Sequence, residues 1–405
     1  MSITFPESFV WGAATAAHQI EGNNVTSDWW AREVDPASTL AEPSGDAADS
    51  YHRYADDIRL LAESGLTAYR FSIEWARIEP AEGRFSRAEV DHYRRMIDCC
   101  LEHGVTPLVT LHHFTSPRWF AEDGGWTDPR SVERFARYVE HVLPLLDRAS
   151  HVFTINEPNI LAMMITAAKG TEQLQAGTMH APDPVATEHL IAAHRRAVEL
   201  VRTVGVPVGW SVAPQQFFAD PGAEEVLREY AYPRETVFLE ASRGDDFVAV
   251  QAYTRTRITV DGPLPAPEDS EKTLTGWEYY PAAIAEAARL GHEITGLPVL
   301  VSENGIATAD DARRIDYTRD ALRALHAEME AGLPLLGYLH WSLLDNYEWG
   351  SFAPTFGLVA WDPETFERTP KPSLGWLGGV ARGTVSLDDC PHARRRGPGR
   401  CRIHS

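Results

Sequence analysis

Thr154-Ile155-Asn156-Glu157-Pro158 and Val301-Ser302-Glu303-Asn304-Gly305 each close an apolar run with a glutamate beside an asparagine, where a strand should give way to a loop. A single strand-end glutamate serves a helix cap or a surface ion pair equally well. Two of them, in a chain whose apolar runs recur at intervals, point to strands of one parallel barrel. The C-terminal rim of such a barrel is where reactive side chains gather.

Working outward from these strings, β-type runs fall at 9–14, 68–73, 106–112, 152–156, 206–213, 247–253, 298–303 and 335–341. Between them, residues 49–63, 87–103, 129–149, 184–203, 280–294 and 311–331 repeat apolar side chains three or four apart, the helical period. Strand–helix alternation predicts an α/β protein with a parallel sheet, and eight strands predict closure into a single (β/α)8 TIM barrel. The connection 219–245 is the least regular. No linker, low-complexity tract or short repeat divides the chain, so one barrel domain is expected over 1–384. Residues 388–405 carry five arginines among Pro and Gly with hardly an apolar side chain, so 385–405 is expected to be a disordered, solvated basic tail.

The composition narrows the partners. The 405 residues carry 37 Lys and Arg against 58 Asp and Glu, a net charge of −21, which argues against nucleic acid or an anionic membrane surface. Cys99, Cys100, Cys390 and Cys401 show neither a disulfide framework nor metal-ligand spacing, so reduced thiols and a cytoplasmic setting are expected. The first ten residues lack a leader pattern, and no apolar stretch approaches membrane-spanning length. His112-His113 has no third ligand at metal spacing, so neither a metal nor another cofactor is expected. Two carboxyl groups across a cleft are the equipment for acid/base and nucleophilic cleavage of a glycosidic bond.

Six motifs in order extend the pattern: Trp11-Gly12-Ala13-Ala14-Thr15-Ala16 leading to Gln19 and Glu21-Gly22; Tyr69-Arg70-Phe71-Ser72-Ile73; Leu111-His112-His113-Phe114; Asn156-Glu157-Pro158; Glu303-Asn304-Gly305; and the run from Trp341 through Asp345-Asn346-Tyr347-Glu348 to Trp349. Over 9–371 the chain resembles glycoside hydrolase family 1, the β-glucosidase family. That resemblance implies Glu157 as acid/base, Glu303 as nucleophile with Arg70 beside it, and Gln19, His113 and the 341–349 segment around the sugar. A sugar ring needs bidentate polar groups and aromatic platforms. Gln19, His113, Asn156 and Glu348 supply the first, and Trp341 and Trp349 the second.

The roles imply a double displacement. Glu303, held as a carboxylate by Arg70 and by the Tyr253 hydroxyl, attacks the anomeric carbon, with its carboxyl about 5 to 5.5 Å from that of Glu157. Glu157 protonates the leaving oxygen, its pKa raised by the anion of Glu303, and later acts as base on water. Asn156 is expected to bond the sugar 2-hydroxyl. The expected partner is a small β-glycoside, with β-glucoside first and β-galactoside or β-fucoside as alternatives. Transglycosylation uses the same residues and stays open, as does the oligomeric state. A 6-phosphoglycoside conflicts with the charge of Glu348, and a catalytically silent carbohydrate-binding barrel conflicts with the presence of both glutamates.

Four departures from the family pattern qualify the resemblance. Gln251-Ala252-Tyr253 stands where the family usually has Asn and two tyrosines, and Phe114 stands for a Trp, with the loss of an indole donor. Residues 159–179 lack most of the usual pattern, and 220–246 looks short. These rim segments leave the aglycone unassigned.

Overall fold

The computed structural model describes residues 3–170 and 178–388. Eight parallel strands close into a barrel: β1 (Val10–Ala14), β2 (Ala68–Ser72), β3 (Thr106–Thr110), β4 (His151–Asn156), β5 (Val208–Val212), β6 (Val248–Gln251), β7 (Val299–Asn304) and β8 (Leu335–Trp341). Each strand pairs with its sequence neighbours, and β1 closes the ring on β8 from Val10 opposite Gly337 to Ala14 opposite Trp341. On its other side β1 packs closely on β2 at Gly12, where a Cβ would lie 2.2 Å from the Ala68 carbonyl oxygen.

The two-residue period of the strands sorts side chains between two cores. Val109, Val152, Val208, Val248, Val250 and Val301 face outward and join the shell beneath the helices. Ala68, Leu108, Phe153, Ala249, Leu300 and Leu339 belong to the separate cluster that fills the barrel. Continuing that inward parity one step toward the C-terminal rim reaches Arg70 after Ala68, Thr110 after Leu108, Gln251 after Ala249 and Trp341 after Leu339.

The expected helices appear with small changes at their ends, as Ser50–Ser64, Arg87–Glu102, Ser131–Leu146, Pro184–Arg202, Ala283–Thr295 and Asp311–Glu330. A helix at Pro158–Ala168 was not expected. Its sequence is apolar nearly all round, so it carries no one-sided stripe to announce it. The irregular connection contains Glu224–Ala231, a π-helical turn at Tyr232–Thr236 and Val237–Ala241. The wider turn, with Pro233 inside it, shifts the helical phase and hides the period. The expected sixth strand, 247–253, stops at Gln251, which leaves Tyr253 in the following loop.

Val385 and Leu387 still pack on the core, so the fold continues past 384. The remainder of the expected tail, 389–405, with Cys390 and Cys401, lies outside the described residues. Among the described residues, Cys99 and Cys100 are buried free thiols, no helix is long and apolar enough to cross a membrane, and no group of three metal-binding side chains occurs.

Arg368 ties the late hairpin of Val359–Trp361 and Arg368–Pro370 back to helix Ser50–Ser64. Its Nε and Nη2 donate to the two Asp57 oxygens at 2.8 and 3.1 Å, and Nη1 donates to the Ala48 carbonyl at 2.7 Å. Arg368→Met strands the fully buried Asp57 carboxylate and is expected to destabilise by about 3 to 5 kcal/mol. A lowered thermal unfolding midpoint measures the loss, and adding Asp57→Asn should restore part of it.

Candidate active site

The barrel's inward parity would turn Glu303 away from the centre, because Val301, two residues earlier, faces the helices. The β6–β7 ladder slips register between Val301 and Glu303, and Glu303 pairs opposite Gln251 instead. A second slip lies on the β4–β5 ladder between Phe153 and Asn156. Such irregularities re-aim side chains near active sites. Here they turn Asn156 and Glu303 toward Arg70.

Arg70 is fully buried and spends its guanidinium on several strands. Nη1 donates to Glu303 Oε1 at 2.6 Å, Nη2 to Asn156 Oδ1 at 2.6 Å and Nε to Thr110 Oγ1 at 3.0 Å. The guanidinium carbon lies 4.7 Å from the Phe153 ring centroid. Glu303 Oε2 accepts from the Tyr253 hydroxyl at 2.8 Å. Burial pushes the Glu303 pKa up, against the pull of the Arg70 charge and of hydrogen bonds from Tyr253, Arg70 and Gln251.

Glu157 follows β4 with φ of 45°, in the left-handed region, and Pro158 opens the next helix. Phe114 and Trp349, which line the same cavity, also have positive φ, at 65° and 51°. Sparsely populated backbone held at a cleft is a mark of a working site. No hydrogen bond reaches the Glu157 side chain among the described residues, and its pKa is driven well above the ordinary carboxyl value. Burial is the larger cause, and the Glu303 charge, the cause expected from sequence, is the second.

Asn156 is locked by its oxygen, which also accepts from Ser211 Oγ at 3.0 Å and Gln251 Nε2 at 2.9 Å. Its Nδ2 therefore donates, reaching His113 Nε2 at 3.1 Å. His113 must then carry its proton on Nδ1, which has no partner among the described residues, and burial keeps the ring neutral by lowering its pKa far below the usual value. Asn304 points elsewhere. Its Nδ2 donates to the Ala252 carbonyl at 2.8 Å and its Oδ1 accepts from Tyr338 at 3.0 Å, so it braces the rim rather than the cleft.

At the other end, Glu348 Oε1 accepts from Trp341 Nε1 at 3.1 Å and Asn346 Nδ2 at 2.7 Å, and burial pushes its pKa up to about 7. Gln19 donates to the Tyr347 carbonyl at 2.8 Å, and its own Oε1 has no partner among the described residues. The ring of His113 stacks toward Trp341 at 5.7 Å and Trp349 at 6.3 Å. Glu157, Glu303, Gln19, His113, Trp341, Glu348 and Trp349 line one cavity of about 340 Å³. Arg70, Asn156 and Gln251 stand behind that lining.

The profile of glycosyl hydrolase family 1 matches residues 1–238 and 242–384. The chain belongs to that family. It is 30% identical to β-glucosidase A of Acetivibrio thermocellus, covering 94% of this chain and 98% of the relative. It is 31% identical to the bifunctional β-D-glucosidase/β-D-fucosidase of Bifidobacterium breve, covering 93% and 98%. Among solved structures, β-glycosidase BGL167 superposes with a TM-score of 0.87 at 41% identity, over 99% of this chain and all of that one. A family 1 β-glucosidase from Thermotoga maritima superposes at 0.87 with 27% identity, over 96% and 100%. The protein is a glycoside hydrolase built on the family's barrel.

Sequence reading passed over Thr110 and Ser211 as supports of this hydrolase's site, and treated Gln251 only as a departure. Parity was the available signal: each is a polar residue at an inward position near the end of its strand. Gln251 has a bond to Asn156 on one side and a contact with the Glu303 carboxylate on the other. Gln251→Leu removes a donor that favours ionised Glu303, so the group's pKa rises. The acidic limb of the kcat/KM profile for an aryl β-glucoside is expected to move to higher pH, with kcat/KM lowered about ten-fold at the plateau. An unmoved limb would show that Gln251 does not tune Glu303.

Proposed function

We propose that this family 1 hydrolase is a retaining β-glucosidase in which Glu303 is the nucleophile and Glu157 the acid/base. The observation that carries the assignment is the asymmetry of the two carboxyls. Glu303 is bound by a guanidinium and a phenol hydroxyl, both of which favour its anion. Glu157 has burial and a like charge against ionisation, which favours its protonated form.

The reaction then proceeds in two balanced steps. Glu303 attacks the anomeric carbon as Glu157 passes its proton to the leaving oxygen, yielding a glycosyl ester and a free alcohol. Esterification removes the Glu303 charge, so Glu157, now ionised, takes a proton from water. The resulting hydroxide displaces Glu303 with retention. The second hydrogen of Asn156 Nδ2 is left for the sugar 2-hydroxyl, while His113 Nδ1, Gln19 Oε1 and Glu348 supply further contacts at the glycone. Glucose is preferred over a 6-phosphosugar because the Glu348 carboxylate would face the phosphate. A cytoplasmic site of action is supported by the free thiols of Cys99 and Cys100.

The roles separate under mutation. Glu303→Gln should abolish turnover of aryl β-glucosides, and a 2-deoxy-2-fluoro glucoside should label Glu303 of the unmodified enzyme and no other residue by peptide mass mapping. Glu157→Ala should lose roughly 10²- to 10⁴-fold on poor leaving groups and far less on activated aryl glucosides, with azide accelerating the second step. Equal losses on both substrate types without azide rescue would contradict the assignment.

Glu348→Ala should lower kcat/KM for β-glucosides by roughly ten- to a few hundred-fold, the worth of charge-assisted bonds to the 4- and 6-hydroxyls. A β-fucoside, lacking the 6-hydroxyl, should lose less. Equal losses would show that Glu348 does not contact that hydroxyl.

A further inference from the structure

We propose that the outer half of the cavity accepts an apolar aglycone, an aryl or alkyl group, in preference to a second sugar. The inference rests on the β-glucosidase reading above and concerns the group that leaves.

The lining changes chemistry along its depth. Around Glu303 and Glu348 it is polar, whereas Ile160, Met164, Met179, Pro214, Trp277 and Phe356, all on segments outside the barrel strands, make the rest apolar. Two sides of the rim supply these groups. Ile160 and Met164 project from helix Pro158–Ala168, which follows β4 and begins immediately after Glu157. Phe356 comes from the segment after β8, which lies across the closed barrel from β4. Trp277, from the connection between β6 and β7, joins Phe356 at a ring separation of 6.4 Å and Tyr253 at 5.5 Å. The aromatic side therefore faces an aliphatic and thioether side beyond the scissile bond. Trp277 keeps 39% of its surface exposed, an unusual expense for an indole unless something covers it.

A second sugar would bring hydroxyls that need partners, and unpaired hydroxyls lose affinity on leaving water. No Lys or Arg lines the cavity among the described residues. Among the described residues the polar side chains beside these apolar ones are Gln215 and Thr254, and each already commits a donor within the protein. Gln215 Nε2 donates to the Ala213 carbonyl at 2.9 Å, and Thr254 Oγ1 donates to the Glu278 carbonyl at 2.9 Å. Thioether and aromatic side chains instead adapt to apolar surface of varied shape.

Linear alkyl β-glucosides test this without confounding chemistry, because beyond the first few carbons the leaving alcohols have nearly constant acidity. From butyl to octyl glucoside, kcat/KM is expected to rise about two- to fourfold per methylene, the burial worth of a CH₂ group. Octyl glucoside should then exceed cellobiose by at least about ten-fold. Met164→Gln and, separately, Trp277→Ala should flatten the chain-length slope, with folded sites counted by 2-deoxy-2-fluoro glucoside labelling. A flat slope in the unmodified enzyme, or preference for cellobiose, would overturn the proposal while leaving the glucosidase reading intact. Failure to turn over even activated aryl glucosides would overturn both.

Discussion

The site depends on one buried cation. Arg70 has no access to water, so its charge must be met inside the barrel by fixed partners. It meets them on four other strands: Thr110 on β3, Phe153 and Asn156 on β4, Ser211 on β5 and the Ser302 carbonyl and Glu303 on β7. β6 joins this network through Gln251. Removing one member leaves others buried without partners, so the network holds position as a unit. The register slips on β4 and β7 belong to this constraint, since they bring Asn156 and Glu303 within reach of the guanidinium.

The same cation distinguishes two identical side chains. Glu303 lies against Arg70 and Tyr253, whereas Glu157 sits on a left-handed turn at the start of a helix and feels the Arg70 charge only at a distance. Glu348, a third buried carboxyl, is held at the far end by Trp341 and Asn346. With three carboxyls and one guanidinium around a single cavity, protonation is shared, and each group's environment decides which one keeps a proton. Burial raises all three, and only Glu303 has a cation at bonding distance to oppose it.

The cavity also shows how a barrel separates fixed geometry from adjustable contacts. Strand ends hold the reactive groups, where neighbouring ladders restrain them. The loops beyond supply Met164, Met179, Trp277 and Phe356, whose identity can change without disturbing the Arg70 network. Helix Pro158–Ala168 is where the two parts meet, because its first turn follows Glu157 and its next turns form part of the mouth.

Much of this was legible in the sequence because local periodicity reports it. Eight β-type runs and the helices between them came from hydrophobic spacing, and Glu157, Glu303, Arg70 and Tyr253 came from motifs that accompany those strands. Inward parity could also have found Thr110, Ser211 and Gln251, since alternation along a strand is written in the chain. What alternation alone misassigns are Asn156 and Glu303, the latter sent outward by period two beside Val301. Only pairing with β6 reveals the slip that turns Glu303 inward. Nor could the sequence rank burial above the Glu303 charge as the cause of the raised Glu157 pKa, because desolvation depends on what surrounds a group in three dimensions. The chain by itself determined the barrel and its two carboxyls. The tertiary structure decided which way they face and how they differ, because register and solvent exclusion arise only when distant strands meet.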